Sequence, residues 1–202
     1  MTKNQEFYWR RLHSLLGLVP VGLFLLVHFT INFTATKGAE EYNQAAGLME
    51  YMPFLNVVEW IVIYIPLLFH GLYGVFIAFT ATNNVQRFGT FRNWMFVIQR
   101  FTGIFLVVFI AWHIFQTRIQ KALGAEVGYD MMHDIVSNPW MLAFYIVGIL
   151  SATFHLSNGI WAFLVSWGIT QSPKSQKVAT YVTMVFFVVF SVAFVAAILA
   201  FV

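Results

Sequence analysis

Five stretches of this chain stay apolar for long enough to cross a lipid bilayer: Leu12 to Phe33, Val57 to Thr80, Trp94 to Thr117, Pro139 to Thr170 and Val178 to Val202. A hydrocarbon layer about 30 Å thick takes roughly 20 helical residues, and each stretch reaches that length. A lone apolar segment in lipid must satisfy its own backbone hydrogen bonds, so each reads as a helix; the alternating pattern of a barrel strand is missing. Composition agrees, because 202 residues that are 60% hydrophobic and 9% charged cannot hide so much apolar surface in one water-soluble core. The expected fold is an all-α, five-helix transmembrane bundle, a single domain over residues 1–202 with no second domain, low-complexity tract or linker. Lys3, Arg10 and Arg11 precede the first apolar run as they would in a signal peptide. That run is too long for one and lacks a small-x-small cleavage site.

Basic residues set the expected orientation. With the N-terminus in the cytoplasm, that side holds Lys3, Arg10, Arg11, Arg87, Arg92, Arg100, Lys174 and Lys177. The outside keeps Lys37, Arg118 and Lys121 with the acids Glu40, Glu41, Glu50, Glu59, Glu126, Asp130 and Asp134. Trp9, Trp94 and Trp167 fall near inner helix ends and Trp60, Trp112 and Trp140 near outer ones, as interfacial belts do. The pI near 9.3 therefore reports topology; no nucleic-acid recognition motif accompanies it. The absence of cysteine excludes iron–sulfur clusters, thiolate haem ligation and covalent c-type attachment within this chain.

Four of the six histidines, His28, His70, His113 and His155, lie inside the apolar stretches. Spacings repeat: 42 residues from His28 to His70 and from His113 to His155, and 85 between corresponding members of the two pairs. Imidazole in hydrocarbon is costly and is kept where it binds something or moves protons. From the helix rise, His28 and His113 share a level near the outside, while His70 and His155 share one nearer the cytoplasm, roughly 10 Å away. The expectation is two stacked sites, each bridged by one imidazole from each half of an internal repeat. Two axial imidazoles are the ligation of a low-spin electron-transfer haem b.

A flat macrocycle needs room, and Gly17 and Gly148, projected along their helices, each face the level of the other pair's site. Phe-His-x-x-x-Gly occurs twice, as Phe69, His70, Gly74 and Phe154, His155, Gly159, which supports duplication of a helix pair. The blander alternatives are histidines that only hydrogen-bond a neighbouring helix, and a zinc or di-metal site, which would want three or four protein ligands per metal and a carboxylate that the inner pair lacks. His133 reads as a solvated loop residue. His13, within Arg10-Arg11-Leu12-His13-Ser14, reads as a partner of haem propionates or of another subunit, or as part of a plain positive-inside cluster. Gln99, Arg100 and Thr102 form a comparable polar knot on the third helix. Polar residues of the fifth, Thr180, Tyr181, Thr183 and Ser191, read as packing.

Glu59 is the acid nearest the membrane interior. Eleven residues before His70, it should face the bundle about 16 Å nearer the outside, at the outer site's level. A carboxyl there suits proton transfer to a quinone, whose reduction takes two electrons and two protons. The alternative is an acid favoured by a helix N-terminus.

The residues Phe7-x-x-Arg10-Arg11-Leu12-His13-Ser14, His28, Pro66-x-x-x-His70, Asn93-Trp94-x-x-x-x-Gln99-Arg100-x-Thr102-Gly103, Trp112-His113 and Phe154-His155-x-Ser157-Asn158-Gly159 resemble the dihaem cytochrome b anchor of succinate:menaquinone reductases from Gram-positive bacteria, along the whole chain. The resemblance implies a multi-pass subunit of the bacterial cell membrane that binds no succinate itself. It would dock a flavoprotein and an iron–sulfur subunit on the cytoplasmic face and transfer their electrons to menaquinone. It further implies that His70 and His155 hold a proximal haem b and His28 and His113 a distal one. Glu59 as the quinone-side acid comes from the depth argument and not from the resemblance. The alternatives are the same scaffold run in reverse as a menaquinol:fumarate reductase, a cytochrome b serving a hydrogenase or formate dehydrogenase, and a haem-free transporter, for which Pro66 alone is a poor case.

Overall fold

A computed structural model describes residues 2–48, 51 and 53–202 of the chain. Glu50, counted above among the outer acids, lies outside the described residues. The described chain is helical, and five of its helices are long and apolar enough to cross a membrane: Asn4–Lys37, Leu55–Thr80, Phe91–Ala122, Pro139–Ser166 and Pro173–Leu199. We call these the first to fifth spans.

Their ends differ from the apolar runs for local reasons. The first helix starts at Lys3, because Thr2 caps it and exchanges a reciprocal capping-box bond with Gln5, carrying the polar residues before Leu12 into the helix. Thr90 caps the third span at Phe91, three residues before the apolar run begins. The fourth stops at Ser166 and not Thr170, since Gly168 takes a left-handed φ of 72° that side-chain-bearing residues avoid. The fifth starts at Pro173 and not Val178, with Ser172 as cap and proline in the first turn. Two short helices that hydropathy did not reveal, Ala39–Leu48 and Tyr129–Val136, lie on the face opposite the N-terminus.

The first four spans pack in a ring, with first against second, second against third, third against fourth and fourth against first. The fifth lies outside this ring, against the fourth and first. Thr153 and Ser191 share a buried 2.7 Å hydrogen bond across the fourth and fifth spans, so these polar residues serve packing. Phe29 of the first span and Phe194 of the fifth stack at 3.7 Å, and the fully buried Phe201 sits edge-on against Tyr42. The expectation of a solvated His133 is corrected. Its Nδ1 donates to the Phe201 carbonyl at 2.6 Å while Tyr129 donates to that of Ala200, so this helix binds the end of the fifth span.

Three helical turns are widened to π geometry: Gly17–Gly22, Glu59–Tyr64 and Phe115–Ile119. Pro20 lies inside the first, and Pro66 follows the second closely enough to break its hydrogen-bond ladder. The third has no proline in it or in the turn that follows.

Candidate functional site

The ring places the histidine-bearing spans diagonally. His28 of the first span faces His113 of the third with ring centroids 5.9 Å apart, and His70 of the second faces His155 of the fourth at 6.1 Å. The rings cross at 74° and 90°. Each pair joins one residue of each half of the repeat. The His70–His155 pair is nearer the face that carries the N-terminus, the His28–His113 pair nearer the opposite face.

Hydrogen bonds fix the tautomers of three of the four rings. His70 donates Nδ1–H to the carbonyl of His13 at 2.9 Å. Thr102 already donates its hydroxyl to the backbone of Ile98 and Gln99, so at 3.3 Å its oxygen accepts from His155 Nδ1. Tyr145 donates to Gln116, so at 3.2 Å it accepts from His113 Nδ1. In each the lone pair left over is on Nε2, which is how a metal-binding imidazole is usually oriented. His28 differs, being reached at Nε2 by the Asn32 amide at 3.5 Å.

Glycines let these rings lie close to neighbouring backbones. A Cβ at Gly17 would overlap the His70 ring, and one at Gly103 would come within 3.0 Å of His155 Cε1. Gly148, expected to leave room at the far level, is covered by Phe109, whose ring stacks on His113 at 6.1 Å. The repeated glycines of the Phe-His-x-x-x-Gly motif face polar side chains: Gly74 faces His13 Nε2, and Gly159 faces the Gln99 amide.

The polar knot on the N-terminal side is larger than its sequence outline. Gln99 donates to the His155 carbonyl at 3.0 Å and accepts from Asn158 at 2.9 Å. Arg92 reaches Asn158 and Thr180 and lies 3.8 Å from the centre of the Trp161 ring. His13 is brought into the site, its ring stacked on His70 at 4.2 Å and 7°. Four buried polar atoms here lack a hydrogen-bond partner: Arg11 Nη1, His13 Nε2, Tyr73 Oη and Arg100 Nε. Donors left unpaired in an apolar bundle are costly unless something accepts from them.

Glu59 lies beyond the far pair. Its carboxylate accepts from Arg118 at 2.6 Å, and the same guanidinium nitrogen reaches Asn56 at 3.2 Å. The Glu59 side chain is 18% exposed and that of Arg118 36%. Sequence reasoning counted Arg118 only as an outside charge, and it did not single out Tyr145, Gln116 or Asn56. A polar residue within a turn or two of a membrane histidine or acid is the signal that would have found them.

Residues 80–195 match the family described as succinate dehydrogenase/fumarate reductase transmembrane subunit. The chain is 53% identical to the succinate dehydrogenase cytochrome b558 subunit of Bacillus subtilis (strain 168), over 202 residues and 100% of both chains. It is 29% identical over 77 residues to the succinate dehydrogenase hydrophobic membrane anchor subunit of Thermoplasma acidophilum, covering 38% of this chain and 61% of that one. With five apolar spans and a family match across more than half its length, this chain belongs to the succinate dehydrogenase/fumarate reductase transmembrane subunits.

Proposed function

We propose that this chain is the cytochrome b subunit of a succinate dehydrogenase, a single transmembrane domain that anchors the complex and carries its electrons to menaquinone through two haem b sites. The observation that carries the reading is the pairing of four membrane histidines, across the diagonals of the ring, at two levels. Two imidazole–metal bonds of about 2 Å each, added to two ring radii, separate centroids by about 6 Å, which matches both pairs. Among the described residues no three His, Cys, Asp or Glu side chains are placed to hold one metal ion, so a metal held by either pair would take its other ligands from a group it brings with it. The unpartnered donors of Arg11, Tyr73 and Arg100 suit a group bearing carboxylates.

His70 and His155 would hold the haem nearer the N-terminus, and His28 and His113 the other. When bound, bis-imidazole haem b supplies reversible one-electron chemistry. The protein's part is to fix the imidazole tautomers through His13, Thr102 and Tyr145, to exclude water with an aromatic lining, and to supply cations at one end. The basic N-terminal face would lie in the cytoplasm and receive a flavoprotein and an iron–sulfur subunit. Glu59 would hand protons to the quinone at the opposite face. Carrying an electron outward through the full span, from the negative inside to the positive outside of a 100 mV potential, gains about 2.3 kcal/mol, which helps a weak acceptor such as menaquinone.

An optical redox titration of the purified complex tests the reading. Two low-spin b-type centres are expected; a correctly assembled sample with no Soret absorbance, or with one centre only, would overturn it.

A further inference from the structure

We propose that the guanidinium of Arg118 is the hydrogen-bond donor to a quinone carbonyl oxygen at the face opposite the N-terminus, with Glu59 as its resting partner. This rests on the quinone-reduction reading and adds a binding residue to it.

The Arg118–Glu59 ion pair joins the ends of the third and second spans opposite the N-terminus, with Glu59 four residues inside Leu55, Arg118 four residues inside Ala122, and both side chains partly shielded. Arg118 is carried by the widened turn Phe115–Ile119, and Glu59 opens the widened turn Glu59–Tyr64. Proline accounts for the second of these and for the turn at Gly17–Gly22. Nothing of the kind accounts for the turn that aims Arg118, and π turns are frequent at functional sites. It follows the His113 helix directly, with the Thr117 hydroxyl bonded to the His113 carbonyl at 2.6 Å. Beside it, Tyr64 shares a side-chain hydrogen bond with Arg118 and meets Trp60 at 5.2 Å, and Trp60 is 57% exposed.

The chemistry separates the two residues. A quinone carbonyl oxygen is an acceptor, and arginine is a donor that keeps its proton. One Arg118 nitrogen is already shared between Glu59 and the neutral oxygen of Asn56, the kind of acceptor a carbonyl can replace. Reduction of quinone to quinol adds two electrons and two protons and turns both carbonyls into hydroxyls. The electrons come from succinate, which loses two electrons and two protons in the partner subunits. Each proton taken up by the quinone comes from water at this face, with Glu59 donating one at a time and reloading. Arg118 holds the oxygen as negative charge builds on it and contributes nothing to the proton balance.

The test uses the purified complex with a tail-less dimethylnaphthoquinone as acceptor. Rates are normalised to reduction of a dye that draws electrons from the partner subunits. Arg118→Gln should raise the KM for the naphthoquinone about tenfold, the loss of a hydrogen bond to a charged group. Arg118→Lys should recover part of it, since lysine donates without the planar fork. Glu59→Gln should lower kcat and leave KM within about twofold, because it removes a proton carrier and frees the guanidinium. Unchanged KM in Arg118→Gln overturns the proposal, as does an equal kcat loss in Arg118→Gln and Glu59→Gln with KM constant, the mark of an ion pair that only supports the fold. If Arg118→Gln fails to accumulate, KM in Arg118→Lys decides: a severalfold rise supports the donor role and an unchanged value rejects it. Failure of the underlying reading would show in the wild type, as no naphthoquinone reduction.

Discussion

The two histidine levels share one ligand chemistry and differ in almost everything around it. His70 and His155 sit in a polar mesh that includes the His13 carbonyl, Thr102, Gln99 and, through Asn158, Arg92. His28 and His113 sit among rings, with Phe24 beside His28 and Phe109 stacked on His113, and with Tyr145 and Gln116 as the polar link. The two halves of the chain thus share paired histidines and differ in the surroundings of each pair. The mesh ties one level to the face where basic residues gather. The aromatic level has a low-dielectric lining and meets water only beyond it, at Arg118 and Glu59.

The ligands themselves give the hardest test of this contrast. Alanine at His70 or His155 should remove one of two b-type signals and reduce the assembled complex, since the same mesh supports the N-terminal face. Alanine at His28 or His113 should also remove one signal, spare assembly and abolish quinone reduction. Spectra and subunit content of purified membranes check both, and a matching assembly loss in all four would erase the distinction. Gly17→Val should reproduce the His70 spectral loss without touching a ligand, because its side chain needs the space of the imidazole ring. Of the two centres, the one retained in His28→Ala should titrate at the higher potential, since Arg10 lies within electrostatic range of His13 and of Arg100 there and cations favour the more negative, reduced state. Thr102→Val and Tyr145→Phe each delete one bond to an imidazole, worth about 1 kcal/mol, and should shift the electron-paramagnetic signal of one centre only, a different one in each variant. The smallest effect belongs to Ser191→Ala, about 0.6 kcal/mol of stability in a denaturation series, with both signals unchanged.

Much of this was legible in the sequence because a bilayer simplifies the code. Apolar length alone marks five helices, and a histidine in such a helix is conspicuous, so its residue number already gives its depth. The capped ends were not legible, because Lys3 to Arg11 and Lys174 to Lys177 are polar and hydropathy stops where they begin. The helices Ala39–Leu48 and Tyr129–Val136 are too short and mixed to rise above a loop reading. Arg118 was read as a surface charge because its position relative to Glu59 depends on a π turn, and a regular 100° projection cannot foresee one. The sequence leaves His13 open to three roles, since contact with His70 depends on how the first and second spans pack.

The diagonal pairing also sets an order for biogenesis. If the spans enter the lipid one after another from the N-terminus, the first pair to become complete is His28 with His113, once three helices are in place. His70 must wait for the fourth helix to bring His155. The fifth then covers the outside of the ring, and the bonds from Tyr129 and His133 to its end close the bundle last. A chain stalled after its third helix would hold one finished coordination site and one half-made, so truncation at successive loops should yield a stepwise gain of cofactor.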